Sequence, residues 1–191
     1  MERDRQSRWL WIVVVAVVLA GAATVAIVGH LRERGRQPEM VEERVGGRVS
    51  EGVETKSMAL FFAAADGESW IRETREIIAG GGVGAEARRV VEALARGPLL
   101  DGVPTLPPET TVENAFLDSE GRLYLNLGRE LRAFHGGGTT GERLTIRSIV
   151  LTLGANFPDV TSVRFLEEGH PLETLAGHLD LSHPLWVDDW R

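Results

Sequence analysis

Cysteine is missing from all 191 residues. Its absence excludes disulfides and thiolate sites, and a domain of this size folds without such staples. It also excludes lipid attachment at a lipobox, because Ala22 stands where "LAGA" would need cysteine. Positive charge is scarce as well: the chain holds 21 Lys and Arg against 28 Asp and Glu. After His30 the balance is 18 basic to 26 acidic residues, a net charge of −8. Such a domain gains little from phosphate backbones, so nucleic acid is not expected as a partner, and anionic lipid repels it on average.

Catalytic frames are also missing. His135-Gly136-Gly137-Gly138 copies an oxyanion loop, but no serine sits in the G-x-S-x-G elbow that would give such a loop a nucleophile. "GGGTTGE" lacks the Lys-Ser/Thr ending of a phosphate cradle. "GGGVGAEARR", from Gly80, can be threaded as a dinucleotide turn, but its helix runs into Gly97-Pro98 and not toward a returning parallel strand. His178, Asp180 and His183 are the candidate metal cluster. Strand alternation would put His178 and Asp180 on one face, two ligands where a tetrahedral site takes three or four, so a solvated strand edge is expected. Glu167 and Glu168 are adjacent and would point to opposite faces of a strand. The expectation is a protein that is not an enzyme, with no catalytic, metal or cofactor site.

What the chain does contain begins with Trp9–Val28, 20 residues without a charge. As a helix this run spans about 30 Å, the thickness of a bilayer's hydrocarbon core. We assign 1–8 as a tail, 9–29 as an uncleaved transmembrane helix and 30–57 as a charged, flexible tether reaching roughly 30 Å. A signal peptide cleaved after Ala20-Gly21-Ala22 is the rival reading, opposed by the apolar run continuing to Val28. Three arginines lie on each side of the span, so the positive-inside count is tied. The short N-terminal tail and long C-terminal domain favour export of residues 58–185, with 186–191 as a closing tail.

Within that domain "MALFFAAA" reads as a buried strand and "ESWIRETREI" as a short strand or hairpin return. A helix follows, its stripe formed by Ala87, Val90, Val91 and Leu94, with Gly97 as a left-handed terminator and Pro98 preventing continuation. "TTVENAFL" and "RLYLNL", joined by a turn at Asp118–Gly121, form a hairpin whose Leu123, Leu125 and Leu127 share one face. "GRELRAF" reads as a short helix. Thr139 and Glu142 match a capping box ahead of a second main helix, with a stripe of Ile146, Ile149, Val150 and Leu153. "TSVRFLEEG" is a strand with Val163 and Phe165 inward, and "AGHLDLSHPL" is expected to add an edge strand. These elements make an α/β (α+β) two-layer sandwich, with one mixed sheet, a β-hairpin and two main helices.

"ALARGP", "TLPPETTV", "AFLDSEGRLYLNLGREL", "RLTIRSIVLTLGANFPDVTSVRF" and the closing "LDLSHPL" occur in an order that resembles the GerMN domain of sporulation and germination proteins. The resemblance covers about Met58 to Leu185. It implies a small fold similar to ring-building motifs, an extracytoplasmic and membrane-tethered setting, and no enzymatic activity. Two departures are Ala22 in place of a lipidated cysteine and a single copy where some relatives carry two. The leading expectation is a single-pass envelope protein presenting an interaction domain to other envelope proteins or to copies of itself. A small-ligand sensor or cell-wall-binding module is the alternative. Arg89, Arg96, Trp186 and Trp190 are the candidate interaction residues, the tryptophans because that residue type is enriched at hot spots.

Overall fold

The computed structural model describes residues 53–191; Trp9–Val28 and most of the tether lie outside the described residues. Among the described residues no helix is long and apolar enough to cross a membrane. Strand β1 (Thr55–Ala63) and strand β2 (Trp70–Ile78) form an antiparallel hairpin. The turn between them closes where the Asp66 carboxylate accepts the Glu68 and Ser69 N–H groups, both at 2.9 Å. β1 begins at Thr55, so the last residues assigned to the tether belong to a strand.

Helix α1 (Gly82–Ala95) buries Ala87, Val90, Val91 and Leu94, the stripe its 3.6-residue period predicts. It ends as expected: Gly97 has φ of +81° and its N–H bonds the Leu94 carbonyl. Gly84, near the start of α1, has a different role. A Cβ there would lie 2.0 Å from the Ala115 carbonyl oxygen, so only glycine lets this helix approach the next strand so closely.

That strand, β3 (Val112–Leu117), pairs antiparallel with β4 (Arg122–Leu127), and Leu123, Leu125 and Leu127 are buried. A short helix, α2 (Glu130–Phe134), leads to α3 (Thr139–Asn156), whose Ile146, Ile149, Val150 and Leu153 are fully buried. β5 (Ser162–Glu167) then runs parallel to β4, with Val163 and Phe165 in the core. Two dipeptide strands, β6 (His170–Pro171) and β7 (Leu185–Trp186), pair with opposite ends of β5. The α+β class is therefore as expected, but the strands form two sheets, one of β1 and β2 and the other of β3 to β7, around one hydrophobic core.

Three local expectations are corrected. The segment Ala176–Pro184 is not a strand; it is a loop, because its backbone N–H groups turn inward onto the Glu142 carboxylate. The capping box does not form: Gly138 is the N-cap of α3, which shifts Glu142 off the capping position and sends its side chain to that loop. Residues 186–191 are not a free tail. They complete β7 and a 3-10 helix (Val187–Trp190), with Val187 buried where Gly154 has no Cβ; a Cβ there would meet Val187 Cγ1 at 2.2 Å.

Candidate interaction surface

β1 has no neighbouring strand on its outer side, and α3 supplies the missing partners. Asn156 accepts from the Ala59 N–H at 2.8 Å and donates to the Ala59 carbonyl at 2.7 Å. Thr152 accepts from the Phe61 N–H, and Ser148 donates to the Phe61 carbonyl. Spaced about one helical turn apart, these three side chains act as a ladder that a strand would otherwise provide. The Val103 N–H closes the next rung on the Ala63 carbonyl. A helix row of Ser148, Thr152 and Asn156 lies beside the apolar stripe, and the hydropathy pattern gave it no role.

The loop after α1 is held by a second polar device. Glu73 on β2 is buried, and its carboxylate accepts from the Leu99 and Leu100 N–H groups at 2.8 Å and from Arg75 Nη2 at 2.6 Å. Arg75 also donates to the Ala93 and Gly97 carbonyls, at 3.0 and 2.6 Å. Burial is the largest influence on Glu73 and works to raise its pKa. The Arg75 hydrogen bond and the Leu100 and Leu99 N–H groups together hold it below the ordinary value. The result is a fixed loop whose leucines face water: Leu99 is 78% exposed and Leu100 63%. A Cβ at Gly102 would lie 3.0 Å from Phe62 Cβ and 3.1 Å from Pro98 Cβ, so the chain passes close to both, and Val103 beyond it is also exposed.

Beyond Val103 the Pro-rich segment forms one wall of a cleft of about 240 Å³, with Phe134, His135 and Thr145 opposite. Its polar groups are engaged with each other. The Gly137 N–H donates to His135 Nδ1, which leaves Nε2 as the protonated nitrogen that donates to Thr145 Oγ1 at 3.1 Å. Thr145 donates to the Thr105 carbonyl at 2.5 Å, and Thr105 shares a 2.7 Å hydroxyl bond with Ser148. With both ring nitrogens occupied, His135 is arranged to fasten its loop to α3 and has no lone pair aimed at the cleft.

Glu142 is the other carboxylate that stands out. It is fully buried, and Thr174 Oγ1, Leu175 N, Ala176 N and His178 N all donate to it at 2.9–3.0 Å. Burial, the largest influence, works to raise its pKa. The Ala176, Thr174, His178 and Leu175 donors outweigh it and hold the group at about 2. His178 Nδ1 lies 3.4 Å from Glu142 Oε2, whereas Asp180 is turned to Ser182. Among the described residues no group of three or more His, Asp or Glu could hold a metal ion. Glu167 and Glu168 pair separately, with Arg132 and Arg129.

The four residues singled out from sequence do not converge. Arg89 is half-buried and donates to the Ile78 carbonyl at 2.8 Å and to the Gly80 carbonyl, tying α1 to the end of β2. Arg96 is exposed at the C-terminal end of α1. Trp186 is 57% exposed on β7, while Trp190 packs against its own core and its carbonyl accepts from Arg147 Nε. The apolar loop at Leu99 and Leu100 was missed. Its exposure depends on Glu73, 26 residues earlier in the chain.

The family model for "Germane: Sporulation and spore germination" matches residues 59–173. The chain belongs to this family. Three solved structures are similar to its Germane domain. The first GerMN domain of the sporulation protein GerM from Bacillus subtilis is 20% identical with a TM-score of 0.57, over 71% of this chain and 100% of that one. The tandem GerMN domains of the same protein give 20% identity and a TM-score of 0.59, over 71% of this chain and 48% of that one. A candidate lipoprotein from Clostridium perfringens is 23% identical with a TM-score of 0.50, over 72% of this chain and 91% of that one. At these identities the likeness concerns the fold alone. No match is found among curated proteins.

Proposed function

We propose that this Germane-family chain is a non-enzymatic, single-pass envelope protein. Its Trp9–Val28 segment anchors it in the membrane, and its extracytoplasmic domain works by binding other proteins of a sporulation- or envelope-related complex. The observation that carries the reading is the Leu99–Leu100 loop. A buried carboxylate and an arginine are committed to holding two leucines in water, an arrangement that lowers the entropy lost on docking a partner. The engaged states of His135 and Glu142 add support, since each of these polar groups is occupied within the fold. The family's sporulation description and the candidate lipoprotein among its structural relatives agree with an envelope setting. Anchoring concentrates such domains at one surface, so weak individual contacts suffice for assembly.

A photo-crosslinking residue at Leu99, activated in intact cells, tests the reading. A defined envelope protein should be captured, and Leu100→Asp should abolish capture while leaving the melting temperature unchanged. The small-ligand alternative draws on the clefts of the domain. The one beside Phe134 is about 240 Å³, below the roughly 300–1,000 Å³ usual for ligand pockets, but those lined by Lys56, Arg72 and Glu86 and by Trp70, Arg143 and Arg147 are about 580 and 350 Å³. This alternative would take over if a soluble ligand raised the melting temperature and Leu99 captured nothing.

A further inference from the structure

The fold closes the outer edge of β1 and leaves that of β2 open. Ala59, Phe61 and Ala63 direct their backbone groups away from β2, so their register partners Thr74, Arg72 and Trp70 direct theirs away from β1. The same parity holds for Glu76 and Ile78, whose carbonyl accepts from Arg89. Among the described residues, the N–H and C=O groups of Arg72, Thr74 and Glu76 have no hydrogen-bond partner, and all three side chains are exposed. An exposed strand edge of this kind is a template for another strand.

The sequence of β2 is its own complement. Read about Thr74, "WIRETREII" places Arg72 opposite Glu76, Glu73 opposite Arg75, Ile71 opposite Ile77 and Trp70 opposite Ile78. A foreign strand would have to bring that complement; a second copy of this chain already has it.

We propose that β2 pairs antiparallel with β2 of a second copy, with Thr74 on the two-fold axis. This rests on the reading of the domain as one that works by protein contact, and it names one partner and one surface. The pairs centred on Thr74 and on Arg72 and Glu76 are of the hydrogen-bonded type, since their backbone groups point outward from each hairpin. Two symmetric Arg72–Glu76 ion pairs then lie on the exposed face, with Ile78, 51% exposed, opposite Trp70 of the second copy. Leu99 and Leu100 are held by the Glu73 carboxylate of the same strand, on the face opposite Arg72, Thr74 and Glu76. The contact is isologous and closes at two copies.

Because the chain has no cysteine, Thr74→Cys in these 191 residues introduces a single thiol. In a hydrogen-bonded antiparallel pair the two Cα atoms lie about 5.5 Å apart, within disulfide range. Mild oxidation in membranes should convert the Thr74→Cys protein to a covalent dimer, and the exposed control Ser119→Cys should remain monomeric. Adding Arg72→Glu, which sets like charges opposite each other, should weaken dimerisation about tenfold. Combining Arg72→Glu with Glu76→Arg should restore it, a rescue that general damage to the fold would not show. No covalent dimer of the Thr74→Cys protein, equal crosslinking of both thiols, or failure of the charge swap to rescue would each overturn the pairing. If Leu99 still captures another envelope protein in that case, the interaction reading survives without the dimer. If it captures nothing, both fail.

Discussion

Replacing Glu142 with glutamine should expose how much of the domain's stability is concentrated in one carboxylate. The folded pKa of about 2 lies below the ordinary 4.5, so the ionised group contributes stability that is fully present above pH 4.5 and is lost as pH falls through 2. Each pKa unit corresponds to about 1.4 kcal/mol, so the contribution at neutral pH is about 3 kcal/mol, of which about half remains at pH 3. Glutamine keeps the shape but has one acceptor oxygen. If that oxygen takes the place of Oε1, which accepts from Thr174, Leu175 and Ala176, its amide N–H groups face the His178 N–H, and a buried donor is left without a partner. Release of the loop to water caps the loss, but then Leu175 and Leu181, both buried, also lose cover. We expect Glu142→Gln to cost about 2–3 kcal/mol at pH 7, a drop of roughly 10 °C in melting temperature for a domain of this length. Thermal melts by circular dichroism at pH 7, 5 and 3 would check it. The gap between the two proteins should narrow by about half at pH 3, because acid removes from the wild type what the mutation removes outright. A variant melting within about 2 °C of wild type at pH 7, or a gap unchanged at pH 3, would refute the reasoning.

Gly84→Ala should destabilise by about 2 kcal/mol or more even though alanine favours helix by about 1 kcal/mol, because the new Cβ would strike the Ala115 carbonyl; urea denaturation measures the balance. Gly97→Ala should cost about 1–2 kcal/mol through backbone strain alone, since its Cβ would meet only Pro104 Cγ at 3.9 Å; an unchanged denaturation midpoint would show that α1 ends differently. The described residues belong to a compact unit of their own, so a 53–191 fragment should melt cooperatively and be insensitive to chelator. Ending that fragment at Leu185 removes buried Val187 and should lower its stability by about 2 kcal/mol, read in the same melts.

Side-chain periodicity by itself determined the inward faces of the two main helices, of β4 and of β5. The Ala87–Leu94 stripe, the Ile146–Leu153 stripe, the Leu123–Leu127 alternation and the turn at Gly97 are properties of neighbours in the chain, and all were legible as such. The polar devices were not. Glu142 looks like a helix cap until its donors, 32 to 36 residues away, are in place. Asn156 and Thr152 find the β1 backbone 97 and 91 residues earlier. Glu73 decides the exposure of Leu99 across 26 residues. Trp186 and Trp190, four residues apart, differ because one lies on an edge strand while the other returns onto α3. A local window contains the hydrophobic period but not the partner of a buried polar group. Chain folding alone brings donor and acceptor within about 3 Å, so only the tertiary structure could decide which polar residues hold the loops and which apolar ones are left in water.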